Sequence, residues 1–390
     1  MMNNNFKTFF RKLIWSFVAL YIGAFFPFLG YKFTKLIYVN IENPGINLRL
    51  NLADASSSLN NLFLSYKKDN LNEYPSVETN TPLPVFEDIA LVETIDVVNE
   101  DDKKDISFTF VGDIMLDRNV ENSVYKNGKG DFSFIFENVD FLAESDITFG
   151  NLEGPMSDKG EDLGNLYSFR MNPAVALSLK GTGFDVLSVA NNHSADWGKD
   201  AFLDTLNRLN LSGIVSVGGG IDRKDAENLR IIERSRAKVG FIAFSDIGPK
   251  WFEAGDNNPG ILLAKTELVQ ELVRKAKGQV DYIVVSFHFG NEYETVPNSR
   301  QERFARLAID SGANIVVGHH PHVVQKIELY NGGLIAYSLG NFIFDQNFSE
   351  ETMEGALLNV VFKGRDIVSI YKKKVKLNKF FQVYLSDYDD

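Results

Sequence analysis

The strongest constraint on the fold is a scarcity. The chain has five histidines in 390 residues, and they cluster directly after short apolar runs. Three stand in Gly318-His319-His320-Pro321-His322, one is His193 in Asn191-Asn192-His193, and the last is His288 in Ser286-Phe287-His288. The runs before them, Asp185–Ala190, Asn314–Val317 and Tyr282–Phe287, read as buried strands. A residue just past a buried strand stands at the C-terminal edge of an open α/β sheet, where such folds keep their ligands. Asp113 after Ile106–Val111, and Asn151 with Glu153 after Asp146–Phe149, occupy comparable strand ends. Imidazole, carboxylate and amide oxygen together suit divalent Zn, Mn or Fe. One shared metal site explains the set better than separate packing roles.

Composition narrows the setting. A hydrophobic share of 44% and an aromatic share of 13% supply a sizeable core, and a formal net charge of −12 argues against nucleic acid, whose phosphates demand basic surface. The absence of cysteine rules out disulfides, thiolate metal sites and a Cys nucleophile. After a short head (residues 1–12), Leu13 to Gly30 is uncharged. As a helix it would span about 27 Å, close to the hydrocarbon thickness of a bilayer. Trp15, Tyr21 and Tyr31 suit interfacial anchoring, Pro27 distorts the last turn, and no small-x-small cleavage site follows. Residues 13–30 therefore read as a single-pass signal anchor in the cell membrane, with the folded part extracytoplasmic. Residues 31–104, rich in Asn, Ser, Pro and acidic groups, read as a low-complexity stalk that buries too little apolar area to offset chain entropy.

From residue 105 to 374 strand-like runs alternate with helical patterns at Phe134–Ala143, Pro173–Leu179, Lys199–Leu209, Thr266–Ala276 and Ser299–Asp310. A run of strands closes the domain, with a hairpin at Asn331-Gly332-Gly333. The expectation is an α/β core finished by antiparallel hairpins, followed by a polar tail over residues 375–390. Gly218-Gly219-Gly220 lacks the Lys-Ser/Thr of a phosphate loop and reads as a tight turn.

Six motifs occur in order: Phe110-Val-Gly-Asp-Ile-Met-Leu-Asp-Arg118, Gly150-Asn-Leu-Glu-Gly-Pro155, Ala190-Asn-Asn-His-Ser-Ala-Asp-Trp-Gly198, His288-Phe-Gly-Asn-Glu-Tyr293, Gly318-His-His-Pro-His-Val-Val-Gln325 and Tyr337-Ser-Leu-Gly-Asn-Phe-Ile-Phe-Asp345. Together they closely resemble the CapA-like capsule biosynthesis proteins, a family linked to poly-γ-glutamate synthesis and related to the calcineurin-like metallophosphoesterases. The resemblance implies a four-layer α/β/β/α sandwich with one or two divalent ions (Mn, Zn, Fe or Mg). Asp113, Glu153, Asn192, His288, His320 and His322 match metal-binding positions. His319 is a further candidate, because the triplet leaves the register open. His193 matches a residue that assists the leaving group or the developing charge. The implied reaction is attack of a metal-activated water on a phosphoester or amide of an anionic surface polymer. The opposing expectation is a non-catalytic subunit that helps polymer synthase subunits make or export that polymer.

One departure is Met115, where related enzymes carry a histidine two residues after the first Asp, so one metal site lacks a ligand there. Glu292 is a general-base or metal-shell candidate. Asp196 either orients an imidazole or caps the next helix. Asp117 and Arg118 either hold an anionic substrate or pair with each other, while Asn151, Asn341 and Asp345 shape the surroundings.

Overall fold

The computed structural model describes residues 105–386. The expected anchor and stalk lie outside them. Among the described residues no helix is long and apolar enough to cross a membrane.

The first strands are β1 (Ile106–Ile114), β2 (Ile147–Leu152), β3 (Val186–Ser188), β4 (Val215–Val217), β5 (Gly219–Gly220), β6 (Arg230–Arg234) and β7 (Ala237–Ser245). They continue as β8 (Gly260–Ile261), β9 (Tyr282–His288), β10 (Ile315–His319), β11 (Ile327–Tyr330), β12 (Gly333–Ala336), β13 (Asn341–Ile343), β14 (Glu354–Lys363), β15 (Asp366–Leu377) and β16 (Val383–Ser386). The helices are α1 (Arg118–Asn127), α2 (Val175–Thr182), α3 (Gly198–Leu211), α4 (Arg223–Ala226), α5 (Thr266–Ala276) and α6 (Ser299–Ser311). One sheet runs β16-β15-β14-β1-β2-β3-β4 with β13 also on β1, and a second runs β11-β12-β10-β9-β7-β6. This is the mixed α/β fold expected.

Side-chain alternation along the strands builds the layers. Phe241 on β7 stacks on Phe149 of β2 at 6.0 Å between ring centres, and Tyr282 on β9 meets Phe108 of β1 edge-on, so the two sheets face each other. The intervening Ile242, Phe244, Val285 and Phe287 turn the other way and pack with Val269 and Val273 of α5 and Phe304 and Ala308 of α6. Each fully buried aromatic contributes about 1.5–3 kcal/mol.

Parallel pairing then gathers the strand ends. β1, β2, β3 and β4 pair in parallel, as do β7, β9, β10 and β12. In register, Asp113 lies beside Asn151 and His288 beside His319. β13 joins β1 in parallel with Asp113 opposite Asn341, which requires Gly112: a Cβ there would stand 1.9 Å from the Gly340 carbonyl oxygen.

Several expectations need correction. The helix expected over Phe134–Ala143 is two short 3-10 turns, Phe132–Phe136 and Asp140–Glu144, because Phe132, Ile135 and Phe136 reach the core within a single tight turn. Of the tail expected over residues 375–390, the described part, to residue 386, is structured: β15 runs on to Leu377, and β16 pairs with it while burying Val375 and Val383. Gly219 and Gly220 form a short antiparallel pair with β8, the turn falling at Gly218 (φ +84°). Helix α1 and strand β6 have no counterpart in the sequence reading.

Candidate metal centre

The site is built around Asp113, fully buried near the end of β1. Asn151 Nδ2 donates to its Oδ1 at 2.8 Å and the His320 amide donates to its Oδ2 at 3.1 Å. His319 Nδ1 lies 3.2 Å from Oδ1, and His322 Nδ1 lies 3.3 Å from Oδ2. Glu153, just past β2 and also fully buried, stands 3.6 Å from His322 Nε2 and 3.9 Å from His193 Nε2. His288 Nε2 is 2.6 Å from Asn192 Oδ1, and its ring centre is 4.8 Å from that of His320. The five histidines and two carboxylates, spread over more than 200 residues, therefore occupy one neighbourhood.

The loop after β3 positions His193. Its Nδ1 is 2.8 Å from Asp196 Oδ2, which fixes the proton on Nδ1 and aims the Nε2 lone pair toward Glu153. Asp196 also accepts from the Phe169 amide and from Asn165 Nδ2, both at 2.9 Å, so it ties the 162–171 segment over the imidazole. It does not cap α3, whose first position follows Trp197 with no side-chain cap. Asn191, to which no role was assigned from sequence, is fully buried and braces the floor through Asn151 Oδ1 at 3.2 Å and the Leu152 carbonyl at 2.8 Å. Phe169 was also missed; its ring lies 4.1 Å from that of His193, with the Arg118 guanidinium 4.7 Å from the Phe169 ring.

Asp117 caps α1, accepting from the amides of Arg118 and Arg170. Arg118 pairs with Asp345 rather than with Asp117, which corrects the pairing expected of the two neighbours. Asn341 Oδ1 accepts from His322 Nδ1 at 3.0 Å, and its Nδ2 donates to the Thr352 carbonyl and to Gln346. Met115 is buried with Phe169 and Phe344, and its sulfur accepts the Asp117 amide. A cavity of about 200 Å³ opens over the centre, lined by His193, His322, Arg118, Asp345 and the exposed Glu292.

Burial governs the charges. It would raise the Asp113 carboxyl, but His319 and His322 outweigh it and hold the group well below the usual range. Glu153 is pushed well up by burial. Burial drives His288 well down, and burial with the neighbouring His322 charge takes His320 to about 3. For His322 burial works downward, but Glu153 and Asp113 raise it to about 9, so it keeps a proton while no cation is present.

The donor set suits a divalent cation. Glu153 Oε1, His319 Nε2 and His320 Nδ1 are buried without a hydrogen-bond partner, a costly arrangement unless something else satisfies them. Two groups present ligand atoms within 4.8 Å of one another: Asp113, Glu153 and His288 in the interior, and Glu292, His320 and His322 nearer the surface.

The family described as bacterial capsule synthesis protein PGA_cap matches residues 107–346. A PGA biosynthesis protein CapA of Bacillus subtilis is 37% identical over 262 residues, covering 66% of this chain and 68% of the relative. A capsule biosynthesis protein CapA of Bacillus anthracis is 34% identical over 277 residues, covering 68% of this chain and 66% of the relative. Among solved structures, a 5′-nucleotidase precursor from Thermus thermophilus aligns over 72% of this chain and 54% of its own, with 15% identity and a TM-score of 0.43, too loose a likeness to weigh.

Proposed function

The chain belongs to the bacterial capsule synthesis protein PGA_cap family, and on that premise we propose that it is a membrane-anchored, metal-dependent hydrolase acting on a phosphoester or amide during biosynthesis of an anionic surface polymer such as poly-γ-glutamate. The observation that carries this reading is the convergence of Asp113, Glu153, His288 and His322 around buried, unpartnered polar atoms beneath an open cavity. Two sheets packed face to face, with α5 and α6 against the second, support the four-layer sandwich of the metallophosphoesterases. The uncharged run from Leu13 to Gly30 supports attachment at the cell membrane.

Asp113, Glu153, Asn192, His288, His320 and His322 would hold one or two divalent ions. Such ions polarise a phosphoryl or acyl oxygen and lower the pKa of water. The protein's own residues do the rest. Asp196 holds the His193 proton on Nδ1, leaving Nε2 to exchange a proton with the attacking or leaving oxygen at the cavity floor. Arg118, fixed by Asp345 and half exposed on the cavity wall, orients an anionic group of the substrate. Phe169 and Phe344 keep water from one side of His193 and His322.

The test is a screen of the purified full chain, loaded with Mn²⁺, against phosphomonoesters, phosphodiesters and γ-glutamyl peptides. Turnover of one class, abolished in His193→Ala and His288→Ala, is expected. No turnover, together with polymer export that survives both substitutions in cells, would assign the chain to a non-catalytic role beside the polymer synthase.

A further inference from the structure

We propose that strand β15 is a basic docking track along which a long anionic polymer, a polycarboxylate, lies on its way to the cavity. The choice of a polycarboxylate rests on the proposed function, whereas the track is a feature of the surface and needs no catalysis. The chain as a whole is acidic, with 40 Lys and Arg against 52 Asp and Glu. Seven of those 40 basic residues nevertheless fall within the 17 positions from Lys363 to Lys379, where Asp366 is the sole acid. A protein of negative net charge repels a polyanion except where basic groups gather, so this strand is where such a chain settles.

Register sets the direction of the track. The β14–β15 hairpin closes with Lys363 opposite Asp366, beside the start of β1, where Ile106 pairs with Phe362. Lys363 and Arg365 stand exposed at that tip. The 12 residues of β15 then run about 36 Å at roughly 3.3 Å per residue. At the far end Lys376 pairs with Glu354, next to Gly355, which bridges to Gly340. Asn341 follows, with its Oδ1 3.0 Å from His322 Nδ1. The track therefore begins at the pole away from the centre and ends beside a neighbour of His322.

Its surface suits a chain of carboxylates. Lys372, Lys374 and Lys376 alternate onto one face of the strand, about 7 Å apart. Glu354 stands between the last two, 3.2 Å from Lys374 Nζ and 3.1 Å from Lys376 Nζ, and keeps both on that face. Apolar surface lies among the charges: Val368 is 54% exposed and Tyr371 55%, and Lys373 Nζ lies 5.3 Å from the Tyr371 ring. The methylenes of a polycarboxylate meet apolar contact there while its carboxylates meet ammonium groups. A line of charges this long favours a chain over a single small anion, and its approach to His322 favours a chain over a flat lipid surface.

The experiment follows the fluorescence anisotropy of labelled poly-γ-glutamate with the full chain in zwitterionic nanodiscs, at low ionic strength and in EDTA. The chelator removes cations, so binding is read apart from the centre and from turnover. The native chain is expected to bind the polymer, and free glutamate at the same carboxylate concentration should not displace it. Lys372→Gln with Lys373→Gln should weaken binding roughly 30-fold, about fivefold for each lysine held against an anionic surface. Lys363→Gln with Arg365→Gln, at the hairpin tip, gives a second and independent reading of the same loss. Lys224→Gln with Lys275→Gln, on α4 and α5, should leave affinity unchanged, and circular dichroism melting checks that every variant is folded. Equal loss in all three pairs would overturn the proposal, as would no loss in the two β15 pairs, which would leave those residues only to deter strand pairing. Absent binding by the native chain or displacement by free glutamate would also overturn it. Loss of polymer binding in nanodiscs rich in phosphatidylglycerol would assign the track to the lipid surface instead. A chain that binds the polymer without cleaving any substrate would remove the hydrolase reading alone.

Discussion

Replacing Asn151 with aspartate places a third carboxylate where the centre now has a hydrogen-bond donor. Asn151 Nδ2 sits 2.8 Å from Asp113 Oδ1 and 3.4 Å from Glu153 Oε2, while its Oδ1 accepts from Asn191 at 3.2 Å. Asn151→Asp preserves the shape and the Asn191 contact but makes the first two contacts repulsive. At an effective dielectric of 20, two like charges 2.8 Å apart repel by about 6 kcal/mol. A shared proton relieves part of that. The loss expected in the cation-free protein is therefore about 3–5 kcal/mol, against a total stability of about 5–15 kcal/mol. Asn151→Ala loses those hydrogen bonds and the Asn191 contact as well, without adding charge, and should cost about 2–3 kcal/mol.

Urea unfolding at pH 7, followed by circular dichroism, separates these effects when run in EDTA and again in excess Mn²⁺. In EDTA the order of stability should be native, then Asn151→Ala, then Asn151→Asp. Mn²⁺ should close or reverse the gap between the variants, because an added carboxylate becomes an asset once positive charge occupies the centre. The reasoning is refuted if Asn151→Asp is no less stable than Asn151→Ala in EDTA, or if Mn²⁺ stabilises both equally.

Chelation itself should lower the melting temperature. An ion held at 100 times its Kd adds about 2.7 kcal/mol, or roughly 5 °C for a domain of this size, measurable by calorimetry with and without EDTA. Asp196→Asn should leave ion stoichiometry unchanged yet slow turnover of any cleaved phosphoester about 100-fold or more, because His193 loses the acceptor that sets its tautomer. A third test concerns pH at a site remote from the centre. Burial pushes the Asp204 carboxyl up, but Lys159, Arg208 and Ser157 outweigh it and hold it below the ordinary 3.8. A depressed folded-state value contributes stability that is present above the unfolded value and is lost as pH falls through the folded one. Asp204→Asn should therefore cost about 1–2 kcal/mol at pH 7, and its urea midpoint should converge with the native one below about pH 4.

What the sequence disclosed about this site follows from what strands can disclose. Strands buried on both faces need unbroken apolar runs, so the residue at which apolarity ends is visible: Asp113, Asn151, His288 and His319 each mark such an end. Parallel pairing then brings those ends together without any further instruction. The contacts that stayed hidden belong to loops and long-range pairs. Arg118 meets Asp345 across 227 residues and declines its neighbour Asp117. Phe169 and Asn165 lie in a segment without periodicity, and their place over His193 depends on Asp196, whose second carboxylate oxygen no local pattern assigns. Met115 shows why the same limit applies to the ligand count. Its side chain is packed between Phe169 and Phe344, so position 115 contributes apolar contacts and no metal ligand. The Glu292 carboxylate comes near His320 and His322 from a loop 177 positions later, where the Tyr293 amide donates to the Pro321 carbonyl. A motif read position by position names both Met115 and Glu292, but it does not show that Glu292 stands beside His320 and His322, because that depends on where two loops touch.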